Sequence, residues 1–274
     1  MNLGIGIFAT DQSISPVELA VAAEAARFES FWVPEHTHIP LSEDAFPGGR
    51  QVQEMYKRSL DPFVALGAAA AATSRINLGT GICLLIERDP IVTAKEAATV
   101  DLLSNGRFLF GVGAGWNRTE MANHGTDPAT RFALLAERVD VVKTIWREDE
   151  PSYEGRFHSF DPIWCWPKPV QRPHPPVLVG GNGERVLERV VAYGDGWMPN
   201  AFPQDALAVR MAELQRLAEA AGRDPIPVSV FGCRPEASVV EAYAALGVDR
   251  CVFWVPSESA ERVLPLVEAY GRLG

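Results

Sequence analysis

The chain is poor in cysteine and histidine and short of positive charge. Its 274 residues include 4 cysteines and 5 histidines, and 25 lysines and arginines stand against 35 aspartates and glutamates. Cys83, Cys165, Cys233 and Cys251 are far apart and form no Cys-x-x-Cys pair. That spacing argues against a disulfide framework or a cysteine zinc site, and for the reduced thiols of a cytoplasmic protein. A formal net charge of -10 argues against nucleic acid or an anionic membrane surface as the main partner. An anionic cofactor stays compatible, because backbone amides at a helix start bind phosphate without net basic charge. Long apolar runs are missing too: the alanine-rich stretch Gly67 to Ala72 is bounded by Thr73-Ser74-Arg75 and is too short to span a bilayer. No basic segment followed by a long apolar core opens the chain, so no signal peptide is expected. A GxSxG elbow and a Walker loop are likewise absent.

What is present is alternation. Leu3 to Ala9, Phe31 to Val33, Ile76 to Leu85, Arg107 to Gly113, Val177 to Val179, Trp197-Met198, Pro227 to Phe231 and Arg250 to Val255 read as strands. Helices lie between them. Ser15-Pro16, Asp61-Pro62 and Asp89-Pro90 are helix openings, with the polar residue as cap and proline in the first turn. Asn105-Gly106 closes the third of these helices. A long amphipathic helix follows the fourth strand, with Phe132, Leu135, Val139, Val142 and Trp146 on one face. Glu184 to Ala192, Pro203 to Ala221, Ala237 to Leu246 and Ser259 to Tyr270 complete the set.

One excursion interrupts the order between the fourth and fifth units: a small hairpin at Tyr153 to Phe157, then the proline-rich Pro162 to Pro176. Eight strand–helix units predict an α/β chain folded as a (β/α)8 TIM barrel, with a doubly wound open sheet as the alternative. No linker or shift in composition marks a second domain, so residues 1–274 read as one.

In such a barrel the chemistry belongs at the C-terminal ends of the strands. The second strand ends in Glu35-His36, with His38 beyond. The fourth ends in Gly113-Ala114-Gly115-Trp116-Asn117, and the fifth in Gly180-Gly181-Asn182-Gly183-Glu184. Glycines between a strand and a helix permit close backbone approach to a phosphate, and equally serve as tight turns. Gly111, Gly113 and Gly115 carry the same double meaning of ligand approach or close strand packing. Glu184 is expected to face away from any phosphate. His36-x-His38 invites a metal site, but no other strand ends in a histidine or aspartate to complete one. His36 could also be a structural histidine bonded to Glu35.

Taken together, Phe28 to His38, Ile76 to Leu85, Asp89 to Ala98, Leu102 to Met121 and Pro176 to Pro199 resemble the luciferase-like monooxygenase superfamily, and within it the oxidoreductases dependent on the deazaflavin coenzyme F420. The resemblance covers nearly the whole chain. It implies hydride transfer between F420 and a small organic substrate, with His36 beside the ring assisting proton transfer and Glu35 as its orienter. It implies a cis peptide at Gly81-Ile82 propping the ring, and ring and ribityl contacts from Gly113, Ala114, Gly115, Trp116 and Asn117. The phosphate falls to Gly180, Gly181, Asn182 and Gly183. A homodimer is also implied, while the strand ends themselves argue for no metal.

Ala114 stands where the sugar-phosphate dehydrogenases of this branch carry a catalytic glutamate, and Glu120 is close enough in sequence to substitute. Thr37 to Ser59, including Phe46 to Arg50 and Tyr56, is expected to cover the substrate, and Trp116, Trp164 and Trp166 to wall the pocket. An oxygen-activating monooxygenase using flavin mononucleotide (FMN) and a non-catalytic flavin-binding protein are the alternatives.

Overall fold

A computed structural model describes residues 1–41 and 52–274. The sheet is built from β1 (Asn2–Gly6), β2 (Ser30–Val33), β3 (Asn77–Thr80), β4 (Phe108–Val112), β7 (Val177–Gly180), β8 (Gly196–Met198), β9 (Ser229–Phe231) and β10 (Arg250–Trp254), all parallel. Their order is β8-β7-β4-β3-β2-β1-β10-β9. Parallel bridges between Trp197 and Val228 and between Asn200 and Phe231 join the two ends, so the sheet closes as a TIM barrel. The excursion lies where the sequence places it, as the antiparallel hairpin of β5 (Tyr153–Glu154) and β6 (Ser159–Phe160).

The helices are α1 (Pro16–Ala25), α2 (Glu54–Lys57), α3 (Pro62–Ala72), α4 (Pro90–Leu103), α5 (Arg118–Asn123), α6 (Arg131–Arg147), α7 (Val186–Tyr193), α8 (Gln204–Ala220), α9 (Ala237–Ala245) and α10 (Ala260–Gly271). The caps work as read: Ser15, Asp61 and Asp89 accept first-turn amides, and Asn105 and Gly106 close α4 in the left-handed region. No helix among the described residues is long and apolar enough to cross a membrane.

Two apolar layers hold the barrel. A large one lies between sheet and helices, and a smaller one inside contains Trp32, Leu109, Leu178, Met198, Phe231 and Val252. Trp32 fits inside because Gly79 faces it; a Cβ there would lie 2.3 Å from its ring. At the N-terminal end, Arg250 donates to both oxygens of Glu29, at 2.7 Å each.

Three sequence expectations change. The strand Ile76 to Leu85 is ladder only to Thr80. There the chain steps aside at the cis Gly81–Ile82 peptide and pairs again at Cys83, and Leu85–Glu87 forms a 3-10 turn. Phe132 does not join the buried face of α6; it is 39% exposed at the barrel mouth. Helix α5 was not expected at all.

Candidate active site

A cavity of about 520 Å³ opens at the C-terminal ends of the strands. All eight contribute to it: Phe8 follows β1, His36 β2, Gly81 β3, Trp116 β4, Gly181 β7 and Asn200 β8, while Phe231 ends β9 and Trp254 ends β10.

Of the residues singled out from the sequence, Glu35, His36, Gly81, Ile82, Ala114, Gly115, Trp116, Gly180, Gly181 and Gly183 line the cavity. Three others stand one step behind. Gly113 makes room for Ile82, whose Cδ1 would sit 2.0 Å from a Cβ at that position. Asn117 is buried as the cap of α5, its Oδ1 accepting the amides of Thr119 and Glu120 at 3.1 Å each. Asn182 accepts from the Asn200 amide through Oδ1 at 2.9 Å and ties the glycine turn to β8.

Glu184 is exposed. Arg210 donates to the carbonyls of Gly183 and Glu184, which holds that side of the turn. Trp164 and Trp166 do not wall the pocket: they are 80% and 53% exposed on the excursion. Tyr56 lines the cavity, whereas Phe46 to Arg50 of the expected cover lie outside the described residues.

The central pair differs from the one expected. His36 Nδ1 lies 2.7 Å from Glu120 Oε2, and the two side chains are 5% and 1% exposed. Tyr56 and Trp116 flank the imidazole, with ring centroids 5.3 and 5.6 Å away. In the tautomer protonated at Nδ1 that nitrogen donates to Glu120, which leaves the Nε2 lone pair outside the pair, and His36 itself lines the cavity. Glu120 Oε1 is buried without a partner.

Glu35 is not the orienter of His36. Its Oε2 accepts from the Leu84 amide at 2.6 Å, and its Oε1 from Arg88 Nε at 2.6 Å. Arg88 also binds Asp61 and Glu96. Burial pushes the Glu35 carboxyl up, and the Arg88 guanidinium and the Leu84 amide pull against it. Glu35 thus anchors the segment after β3.

Sequence reading left Glu120 as a bare possibility, but Asn117-x-x-Glu120 has the spacing of a helix N-terminus, which was the available signal. Glu87 was missed altogether. An acid ending the apolar run Ile82 to Ile86 was its only mark.

An eight-stranded parallel barrel with a buried His–Glu pair at a glycine-rich mouth defines an α/β barrel protein with its cavity at the C-terminal ends of the strands. The luciferase-like monooxygenase family matches residues 13–244, and the chain belongs to it. It is 41% identical over 275 residues to an uncharacterized protein of Mycobacterium tuberculosis, covering 98% of this chain and 96% of that one. It is 27% identical over 256 residues to the F420-dependent hydroxymycolic acid dehydrogenase of Mycobacterium tuberculosis, covering 90% of this chain and 64% of that one. In fold it matches the monooxygenase RslO1 from Streptomyces bottropensis with a TM-score of 0.83 at 20% identity, covering 99% and 98% of the two chains.

Proposed function

We propose that this protein is an F420-dependent oxidoreductase in which His36, backed by Glu120, handles the proton of a small alcohol or carbonyl substrate. The observation that carries this reading is the buried His36–Glu120 pair at the cavity wall, with Nε2 outside the pair. The F420-dependent relative supports the choice of cofactor.

The residues present fit a flavin-type ring and its phosphate tail. The cavity walls are partly apolar, from Ile82, Trp116, Met198 and Phe231, with Trp116 beside His36 and Ile82 and Met198 against Gly180, and bare backbone lines them at Gly180, Gly181 and Gly183. A Cβ at Gly183 would meet no atom within 4 Å, so the turn leaves open the kind of space an anion needs. Gly180, Gly181, Asn182 and Gly183 would hold the phosphate. Gly81 and Ile82 would support the ring, with Ala114, Gly115 and Trp116 along its edge.

When bound, the deazaflavin supplies two-electron hydride chemistry. His36 Nε2 accepts a proton from a substrate hydroxyl, or returns it to a carbonyl oxygen, and Glu120 stabilises the imidazolium between these events. Such a base typically contributes a factor on the order of 10²–10⁴. Ala114 offers no carboxyl, and Glu120 fills that need from the next helix.

Separate titrations with F420 and FMN, read by fluorescence quenching, test the proposal. Binding of F420 is expected. Binding of FMN alone would move the protein to the oxygen-activating reading that RslO1 favours, and binding of neither would end the oxidoreductase reading. His36→Ala should then abolish turnover while leaving cofactor affinity intact. F420 binding with no turnover of any alcohol or ketone would favour a carrier.

A further inference from the structure

The two sides of the cavity differ in chemistry. Among the described residues that line it, the charged groups are Glu35, Arg189 and, once protonated, His36. Glu35 is engaged by Arg88. Arg189 stands on α7, the helix that follows the glycine turn, with its Cζ 4.0 Å from the Phe132 ring centroid. The cation of the cavity is therefore on the β7 side, the side that suits an anion.

The opposite side is aromatic. In the closed ring of eight strands, β1 lies four places from β7 and β10 four places from β4. The ends of β1 and β10 thus stand across the mouth from the two glycine-bearing turns. Phe8 follows β1, Trp254 ends β10, and Tyr56 joins them from α2. The Phe8 ring centroid is 4.5 Å from that of Tyr56 and 5.6 Å from that of Trp254, and Tyr56 lies 5.3 Å from His36. The set is fixed from behind. A Cβ at Gly6 would lie 2.6 Å from the Trp254 ring, and Ser257 Oγ donates to the Phe8 carbonyl at 2.7 Å. The same three rings border a second cavity of about 550 Å³, which Met55, Val255 and Pro256 also line. Its acids, Glu54 and Glu258, are held by Lys57, Arg58 and Arg262, and no lysine or arginine lines it among the described residues.

We propose that Phe8, Tyr56 and Trp254 form the substrate subsite, and that the alcohol or carbonyl compound it takes is uncharged and carries an aryl or fused-ring group, with its oxygen at His36. The proposal rests on the reading of His36 as the proton-handling group. A flat apolar group gains at this wall through buried area and ring-on-ring packing. An anion loses there, because it sheds water against ring faces that carry the negative end of the aromatic quadrupole, with no cation to meet it. A phosphorylated sugar is therefore the wrong substrate, and the anionic tail of a cofactor belongs across the mouth with Arg189. Trp254 determines specificity, since its ring forms part of the wall on both cavities.

The test uses the full chain without cofactor and two probes of nearly one shape. Acetophenone is neutral, and para-acetylbenzoate carries a carboxylate on the far side of the same ring. Saturation-transfer NMR titrations give a Kd for each. Acetophenone should bind saturably, and para-acetylbenzoate should bind about tenfold more weakly or worse. Trp254→Leu and, separately, Phe8→Leu should each weaken acetophenone by about fivefold. Circular dichroism checks that each variant folds, and either one carries the reading if the other does not. No saturable binding of acetophenone, equal or tighter binding of para-acetylbenzoate, or unchanged acetophenone affinity in a folded variant would each overturn the subsite. Neither probe involves F420. Acetophenone binding as expected in a chain that binds no F420 would end the oxidoreductase reading and leave the apolar subsite in place. F420 binding in a chain that prefers para-acetylbenzoate would do the reverse.

Discussion

A single methyl group separates two kinds of glycine at the barrel mouth. At Gly113 it would overlap Ile82, whereas at Gly183 it would enter open space. Gly113→Ala is expected to lower stability by about 1–3 kcal/mol through overpacking, seen as a lower Tm. Gly183→Ala should leave Tm unchanged and weaken F420 binding; an unchanged Kd would remove Gly183 from the phosphate cradle. The sequence shows both glycines in similar strand-end settings, and the side chain that distinguishes them, Ile82, comes from the segment that follows β3. The same limit explains the exchanged role of Glu35. Successive side chains of an extended segment project to opposite sides, so adjacency to His36 is a poor guide to contact. The partner is 84 residues away.

Between residue and barrel, short elements decide where charges end up. Helix α5 has six residues, and Asn117 sets its start. Asn117→Ala should cost about 1 kcal/mol of stability. Because one of the two lost bonds is to the Glu120 amide, turnover should fall further than that stability loss implies, with cofactor Kd unchanged. The kcat-to-Tm comparison checks this. The segment joining β3 to α4 depends instead on Arg88. Its side chain is 12% exposed and pairs with Glu35, which is 2% exposed. Arg88→Ala leaves that acid buried and unpaired, an expected loss of about 3–5 kcal/mol by urea denaturation. Replacing both, as Arg88→Met with Glu35→Leu, should recover much of it. Proline-led helix starts were legible because capping is local. The break in the strand at Gly81–Ile82 was not legible from periodicity, since the apolar run continues through it; the family resemblance supplied it.

For the molecule as a whole, Glu87 gives a pH dependence of definite sign. In the folded chain it keeps its proton up to about 9, against the usual 4.5 for the unfolded chain. The folded state holds the extra proton within that window, so stability falls as pH rises through it, by at most about 1.4 kcal/mol per pH unit. Glu87→Gln is neutral throughout and should flatten the fall in denaturation free energies. An unchanged slope would mean that Glu87 is ionised in the fold. The barrel itself was the most legible feature, because eight alternating units leave few other ways to bury both faces of a parallel sheet.

Its closure was less legible, and it has a mechanical meaning. Seven strand pairings are ladders, whereas β8 meets β9 through two isolated bridges, helped by bonds such as Phe231 N–H to the Pro199 carbonyl at 2.8 Å. Trp197 N–H to the Pro227 carbonyl at 3.0 Å and Ala201 N–H to the Phe231 carbonyl at 2.7 Å complete the seam. Asn200 and Phe231, which fasten the seam, are also walls of the cavity. Whatever fills the cavity therefore bears directly on the seam that closes the ring.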